Sequence, residues 1–251
     1  MTPSAAGRLV ILSGPSCVGK SPLDRALARL RPDLYRRLQK VVLYNSREPR
    51  AGERDGLDYH FRTRAQIQGL QPQERFALMD VRGDLQALDL AELATLLDRG
   101  DVFFEGNPFV GRLLQTHPAL VQTRRLSVFL APLSQDEILF LKDPARNVSL
   151  PDLLTDVMRR KLLRRTRRQK SELSLHDLQN IERRAASAFR ELHEATHFDW
   201  VIPNHDGEDS DNWDAFYYPL GDARRALLAF ADLLEGRTPA CAEKWEADLL
   251  A

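Results

Sequence analysis

Residues Gly14-Pro-Ser-Cys-Val-Gly19-Lys20-Ser21 fit the spacing G-x-x-x-x-G-K-S/T. Few eight-residue patterns restrict a fold so strongly. The glycines let the backbone curl until successive N–H groups point inward, which makes a cradle for an anion. Lys20 brings a positive charge to that cradle, and the Ser21 hydroxyl suits a hard divalent cation. The loop needs an apolar strand before it and a helix after it, whose positive end adds to the anion site. Both are written in the chain. Leu9, Val10, Ile11 and Leu12 form a continuous apolar run, as in a strand buried on both faces of a parallel sheet. Leu23, Ala26, Leu27 and Leu30 then recur at helical spacing until Pro32 closes the segment. Pro22 falls in the first turn, where its missing N–H costs little. Gly14, Pro15, Ser16, Cys17, Val18, Gly19, Lys20, Ser21 and Pro22 are therefore expected to hold nucleotide phosphates, with Ser21 on the metal. Cys17 reads as an ordinary loop residue rather than a redox switch.

The rest of the composition narrows the setting. The chain has 251 residues, 43% hydrophobic and 29% charged, which is the mixture of a globular protein. Lys plus Arg and Asp plus Glu are both 36, so no global charge draws it to nucleic acid or membrane. Cys17 and Cys241 lack metal-ligand spacing, and a reducing, cytoplasmic setting is expected. The N-terminal apolar run is too short for a membrane span and lacks a signal-peptide pattern. His193 and His197 are four apart without the glutamate of a zinc helix, and read as surface or capping residues.

Further buried-strand runs lie at 101–105, 126–131 and 198–203, with a weaker one at Val41–Tyr44. Helical patterns fall at Leu88–Arg99, Leu153–Arg168, Leu178–Ala195 and Ala223–Leu234. Such alternation predicts a parallel α/β sheet with right-handed crossovers. Residues 45–87 are turn-rich, with strand-like pieces at 58–61 and 76–81, and read as a small insertion.

Within that insertion, Arg47-Glu-Pro-Arg50-Ala-Gly52-Glu53-Arg-Asp55-Gly56-Leu-Asp58-Tyr59-His-Phe61 resembles the guanylate kinase signature R-x-P-R-x-G-E-x-D/N-G-x-x-Y-x-F. The glycine loop resembles that family's loop, and Val201–Asp206 (VIPNHD) its V-I-V-N-D-D stretch. The resemblance implies a P-loop kinase that uses ATP and Mg2+. In it Arg47, Arg50 and Tyr59 would clamp the acceptor's phosphate, and Asn204 would lie beside the adenine. Two arginines three apart, stiffened by Pro49, suit that clamp physically.

Departures from the family fall on the side that reads the base. The F-L/I-E-W/Y segment becomes Phe76-Ala77-Leu78-Met79, placing Leu78 where the resemblance expects a glutamate. The E-I-D strand end becomes Glu105-Gly106-Asn107, and a serine before the clamp becomes Leu43. Phosphate-facing residues are kept while base-facing ones change. A nucleoside monophosphate such as GMP, a phosphorylated sugar of the ribose-bisphosphate type, and a catalytically silent binding module all stay open. Leu78, Glu105 and Asn107 are the acceptor-side candidates, with Glu105 also the acidic partner for Mg2+-bound water.

Residues 159–170 hold eight basic side chains in twelve, on a helix whose apolar stripe is Leu153, Leu154, Val157, Met158 and Leu162. In related kinases a lid delivers arginines to the transferring phosphoryl group. Arg164, Arg167 and Arg168 are the lid candidates, and Arg184 aligns with the family's arginine after the lid. No aromatic residue interleaves these charges, which argues against a nucleic-acid stripe. The expectation is one α/β domain: a parallel core (1–44, 88–134, 177–235), an acceptor-binding subdomain (45–87), a helical lid (135–176) and a C-terminal tail (236–251). Lys20 and the lid arginines would be catalytic, and the protein would be a monomer or homodimer.

Overall fold

The computed structural model describes residues 7–49 and 52–250. Its elements in chain order are β1 (Leu9–Ser13), α1 (Lys20–Leu30), α2 (Pro32–Tyr35), β2 (Leu38–Lys40), β3 (Tyr44–Asn45), β4 (His60–Phe61), α3 (Arg64–Gln68), β5 (Phe76–Val81) and β6 (Asp84–Asp89). There follow α4 (Leu90–Arg99), β7 (Asp101–Gly106), α5 (Pro108–Thr116), β8 (Arg125–Ala131), α6 (Gln135–Lys142), α7 (Leu150–Gln169), α8 (Leu175–Ala186), α9 (Ala188–His193), β9 (Trp200–Pro203) and α10 (Gly221–Leu234). One sheet has five strands in the order β2-β7-β1-β8-β9, and a second has four in the order β4-β3-β6-β5. The printed pairs of the first sheet, β2 with β7 and β8 with β9, are parallel.

The chain clusters into two compact units. One comprises Arg37–Phe104 and Leu113–Arg125 with the stretch ending at Val10; the other comprises Ile11–Arg36, Glu105–Arg112 and everything from Leu126. In the first unit, the expected strand at Val41–Tyr44 does not form as one piece. The Val41 N–H still donates to Phe103 O, whereas Tyr44 already pairs with Ala87 and His60. The run is where the chain leaves one sheet for the other. The four-stranded sheet packs Tyr44, Leu85 and Ala87 against Ile67 of α3. Strand β6 was not expected from its sequence. It forms because Arg82 and Gly83 (φ 58° and 91°) turn the chain tightly back along β5. At its end Asp89 caps α4, accepting from Ala91 N and Glu92 N, and takes a bidentate bond from Arg75.

In the second unit, Val128, Phe129, Leu130, Val201 and Ile202 are fully buried, as expected for strands covered on both faces. The helical region predicted at 178–195 is divided into α8 and α9 at Ser187, whose hydroxyl turns inward to Glu191. Capping boxes start α6 (Ser134, Glu137) and α8 (Ser174, Asp177). The tail beyond Gly236 runs antiparallel beside β9, with Glu243 bridging Val201, and buries Trp245, Leu249 and Leu250. It thereby covers the outer edge of β9, which would otherwise present free backbone groups. Among the described residues no helix is long and apolar enough to cross a membrane.

Candidate active site

The glycine loop is folded as its sequence requires. Cys17 and Gly19 take left-handed backbone conformations (φ 67° and 105°). At Gly19 a Cβ would lie 2.5 Å from Asn204 Nδ2 and 2.7 Å from Asp206 O, so only glycine fits. Lys20, 7% exposed, curls back and donates to the carbonyls of Gly14 (2.8 Å) and Pro15 (2.7 Å). The helix that follows points its N-terminus into the loop. Ser21 Oγ donates to Glu105 Oε1 at 3.1 Å. Burial pushes the Glu105 carboxyl above the ordinary range; Lys20 opposes this, while Asp24 and Glu208 add to it. Cys17 is buried, and desolvation drives its thiol far up, so it stays protonated and unreactive.

The segment after β9 is strapped onto this loop. Asn204 Nδ2 donates to Val18 O and Asp206 O, both at 2.7 Å. Trp213 Nε1 donates to Asp206 O and Gly207 O, and its ring packs against Gly19. The Asp206 carboxylate gathers Ser210 Oγ, Asn212 Nδ2 and the Ala223 N–H. The strap carries Glu208 to the loop. Its Oε2 is buried and has no hydrogen-bond partner among the described residues. Burial opposes its ionisation, yet Lys20, Arg165 and Arg184 together hold its carboxyl below the ordinary range.

Helix α7 sorts the basic run. Arg164 pairs with Asp209 (3.6 Å), Arg168 pairs with Asp211 (3.0 Å), and Lys161 Nζ donates to His205 O. Arg167 is exposed. Arg165, which the sequence reading passed over, is half-buried and its charge acts on Cys17 and Glu208. It stands three residues after buried Leu162, so it flanks the apolar stripe, and that spacing was the available signal. Arg184 from α8 donates through Nε to Ser16 Oγ at 3.0 Å. The loop residues, Asn204, Glu105 and Arg184 are thus brought together in one unit. Asn107 lies in the same unit: its Oδ1 accepts from Phe109 N to start α5, and its Nδ2 donates to buried Glu191.

The clamp residues lie in the other unit. Arg47 makes a bidentate pair with Glu53, both bonds 2.7 Å, and its guanidinium stacks over Tyr59 (5.0 Å) and Phe61 (5.4 Å). Phe61 is in register with Asn45, so Arg47 works on the Asn45 face of the sheet. Arg50 lies outside the described residues. Leu78 is in register with Ala87 and, through it, Tyr44, which places it on the opposite face. Ala77, Met79 and Val81 are the β5 residues that share the face of Arg47. Among the described residues no group of three or more His, Cys, Asp or Glu could hold a metal.

Comparison with known proteins identifies the family. The guanylate kinase family model matches residues 6–78. The chain is 33% identical over 235 residues to guanylate kinase of Nitratidesulfovibrio vulgaris, covering 92% of this chain and 96% of that one. It is 30% identical to the guanylate kinase of a Synechococcus strain, covering 86% of this chain and 85% of that one. The crystal structure of guanylate kinase from Anaplasma phagocytophilum superimposes with a TM-score of 0.53 at 16% identity, covering 95% and 90% of the two chains, which speaks to the fold. With near-complete coverage at this identity, the chain belongs to the guanylate kinase family.

Proposed function

We propose that this protein transfers the γ-phosphoryl group of ATP to a small phosphorylated acceptor, for which GMP is the first candidate given what its relatives are named for. The observation that carries the proposal is Lys20, buried and fixed on the loop carbonyls beside Ser16, where Arg184 also arrives. An interaction module has no physical need of a desolvated lysine in a glycine cradle. The acceptor's own oxygen attacks, so no protein nucleophile is required; the protein's part is positioning and charge neutralisation. Lys20, Arg165 and Arg184 are the cations available for the latter. Arg47 and Tyr59, with Arg50, are proposed to hold the acceptor phosphate.

Ser21 and Glu105 suit Mg2+, because this ion takes one or two protein oxygens and keeps its remaining positions for water and phosphate. Held there, Mg2+ would supply positive charge to offset the charge that develops on the phosphate oxygens.

A phosphorylated sugar is the second reading, favoured by Leu78 at the glutamate position and by its placement on the face away from Arg47. ADP release from Mg·ATP should be followed with GMP, dGMP, AMP, UMP, CMP and ribose 1,5-bisphosphate. Turnover with GMP supports the first reading, and turnover with ribose 1,5-bisphosphate alone supports the second. Silence with every acceptor, together with failure to bind Mg·ATP, rejects phosphoryl transfer.

Glu208 gives a separate expectation. Its carboxylate sits among the cations that would hold the triphosphate, so nucleotide and carboxylate compete for them. Glu208→Gln keeps the shape and removes the charge. It should tighten Mg·ATP binding by about 10-fold, the scale of one charge interaction in a partly desolvated site. Titration calorimetry measures this directly, and an unchanged or weaker Kd would show that the carboxylate does not oppose the nucleotide.

A further inference from the structure

Glu191 on α9 is fully buried, at 0% exposure, and the reading given above assigns it no part. It belongs to the inward face that α8 and α9 share with Ile181, Ala185, Ala188 and Leu192, all of them buried. A leucine would fill that place without the cost of desolvating a carboxyl group, so the glutamate calls for a task. Its Oε1 accepts from two elements. Ser187 Oγ donates to it at 2.6 Å, and Asn107 Nδ2, just past the end of β7, donates at 3.2 Å. Asn107 is itself fixed, because its Oδ1 accepts from Phe109 N at the start of α5 (2.9 Å). The carboxyl is thus anchored at the sheet on one side and at the junction of α8 and α9 on the other. At that junction the Ser187 hydroxyl has one proton and two acceptors in reach: Glu191 Oε1, and the Arg184 carbonyl at 3.1 Å. The shorter contact, to Glu191, takes the proton. Without that acceptor the hydroxyl would turn to the Arg184 carbonyl, a back-bond of the kind that bends helices. Arg184 stands in this last turn of α8, and its Nε donates to Ser16 Oγ of the glycine loop at 3.0 Å.

We propose that Glu191 is a positioning residue: through Ser187 it sets the last turn of α8 so that the Arg184 guanidinium meets the glycine loop at Ser16. This rests on the reading of that loop as the triphosphate site with Arg184 among its cations. Arginine carries its charge at the end of a long stem, so the direction in which the backbone launches that stem decides where the charge lies. A misplacement of about 1 Å at such a group costs up to about 10²-fold in rate. Ser16, Asn107, Arg184, Ser187 and Glu191 all belong to one compact unit, so the tie runs inside a single packed body. Asn107 is its far anchor, with amide oxygen and nitrogen both engaged by the protein's own groups.

The test is a double-mutant cycle on the full chain with Glu191→Leu, Arg184→Ala and the two combined, and with Glu191→Gln as the conservative variant. Calorimetry gives the Kd for Mg·ATP, steady-state kinetics with GMP and with ribose 1,5-bisphosphate give kcat and acceptor KM, and thermal melts follow the fold. Arg184→Ala and Glu191→Leu should each weaken Mg·ATP by about 10-fold, the scale of one charge-assisted hydrogen bond. The combined variant should be no weaker than Arg184→Ala alone, because a residue that acts only through Arg184 has nothing left to position. Glu191→Gln keeps an oxygen for Ser187 and should stay within about threefold of wild type. In Glu191→Leu kcat should fall about 10-fold or more, with acceptor KM within about twofold of wild type. A lower melting temperature with wild-type Kd and kcat would overturn the proposal, leaving Glu191 a structural residue. Losses that multiply in the combined variant would overturn it too, because Glu191 would then act independently of Arg184. Should Glu191→Leu fail to fold, Ser187→Ala cuts the same tie from its other end and is judged by the same cycle. Wild type that binds Mg·ATP but turns over neither acceptor would count against transfer to those acceptors, while the Kd cycle still decides for or against the tie.

Discussion

Replacing Lys20 by alanine is expected to lower kcat/KM by about 10³-fold, the range seen when a preorganised charge on a transferring group is removed. The ammonium reaches the centre of the loop because two carbonyls, Gly14 O and Pro15 O, hold it there. Its positive charge is also what keeps neighbouring acids manageable: it opposes the raised carboxyl of Glu105 and lowers that of Glu208. Without it, Glu105 and Glu208 would face the incoming triphosphate with one positive charge fewer beside them, so affinity for Mg·ATP should fall along with turnover. The fold should survive, since the strand before the loop and the helix after it keep their apolar contacts. A thermal melt alongside steady-state kinetics checks both halves of the statement. Near-normal turnover in this variant would remove the lysine from the mechanism.

Arg47→Ala should raise KM for the acceptor by about 10²- to 10⁴-fold while leaving the Kd for Mg·ATP unchanged. Two charge-assisted hydrogen bonds to a phosphate, each worth about 1.5–3 kcal/mol, set that range. A further loss comes from Glu53. It now shares both oxygens with Arg47, and without the arginine its negative charge would lose that pairing. Arg47→Lys keeps the charge but loses the planar fork and the stacking over Tyr59 and Phe61, so it should recover only part of the affinity. An acceptor KM within threefold of wild type in Arg47→Ala would move the phosphate site elsewhere.

What could be read from the sequence was what is local. The glycine loop, its strand and its helix need only residues close in the chain, and each adopts the conformation its composition dictates. Arg47 and Tyr59 do come together, because a short turn-rich segment returns the chain beside itself. Features that depend on distant partners were not legible. Strand β6 has few β-branched or aromatic residues, and only its pairing with β5 defines it. The eight basic residues of 159–170 look equivalent in the sequence; burial separates Arg165 from Arg164 and Arg168, which acidic residues of the strap engage. Glu208 sits in a Gly-Glu-Asp turn that reads as solvated, and the packing of Trp213 brings it to the loop. The side of β5 that Leu78 takes follows from register alone, which a motif match does not carry.

The most direct measurement is of products: Mg·ATP with GMP, and separately with ribose 1,5-bisphosphate, separated chromatographically in wild type and Lys20→Ala. The account predicts acceptor-dependent ADP with an equal amount of newly phosphorylated acceptor in wild type, and both formed about 10³-fold less efficiently in the variant. ADP released without an acceptor product, or product formed equally by the variant, would contradict it.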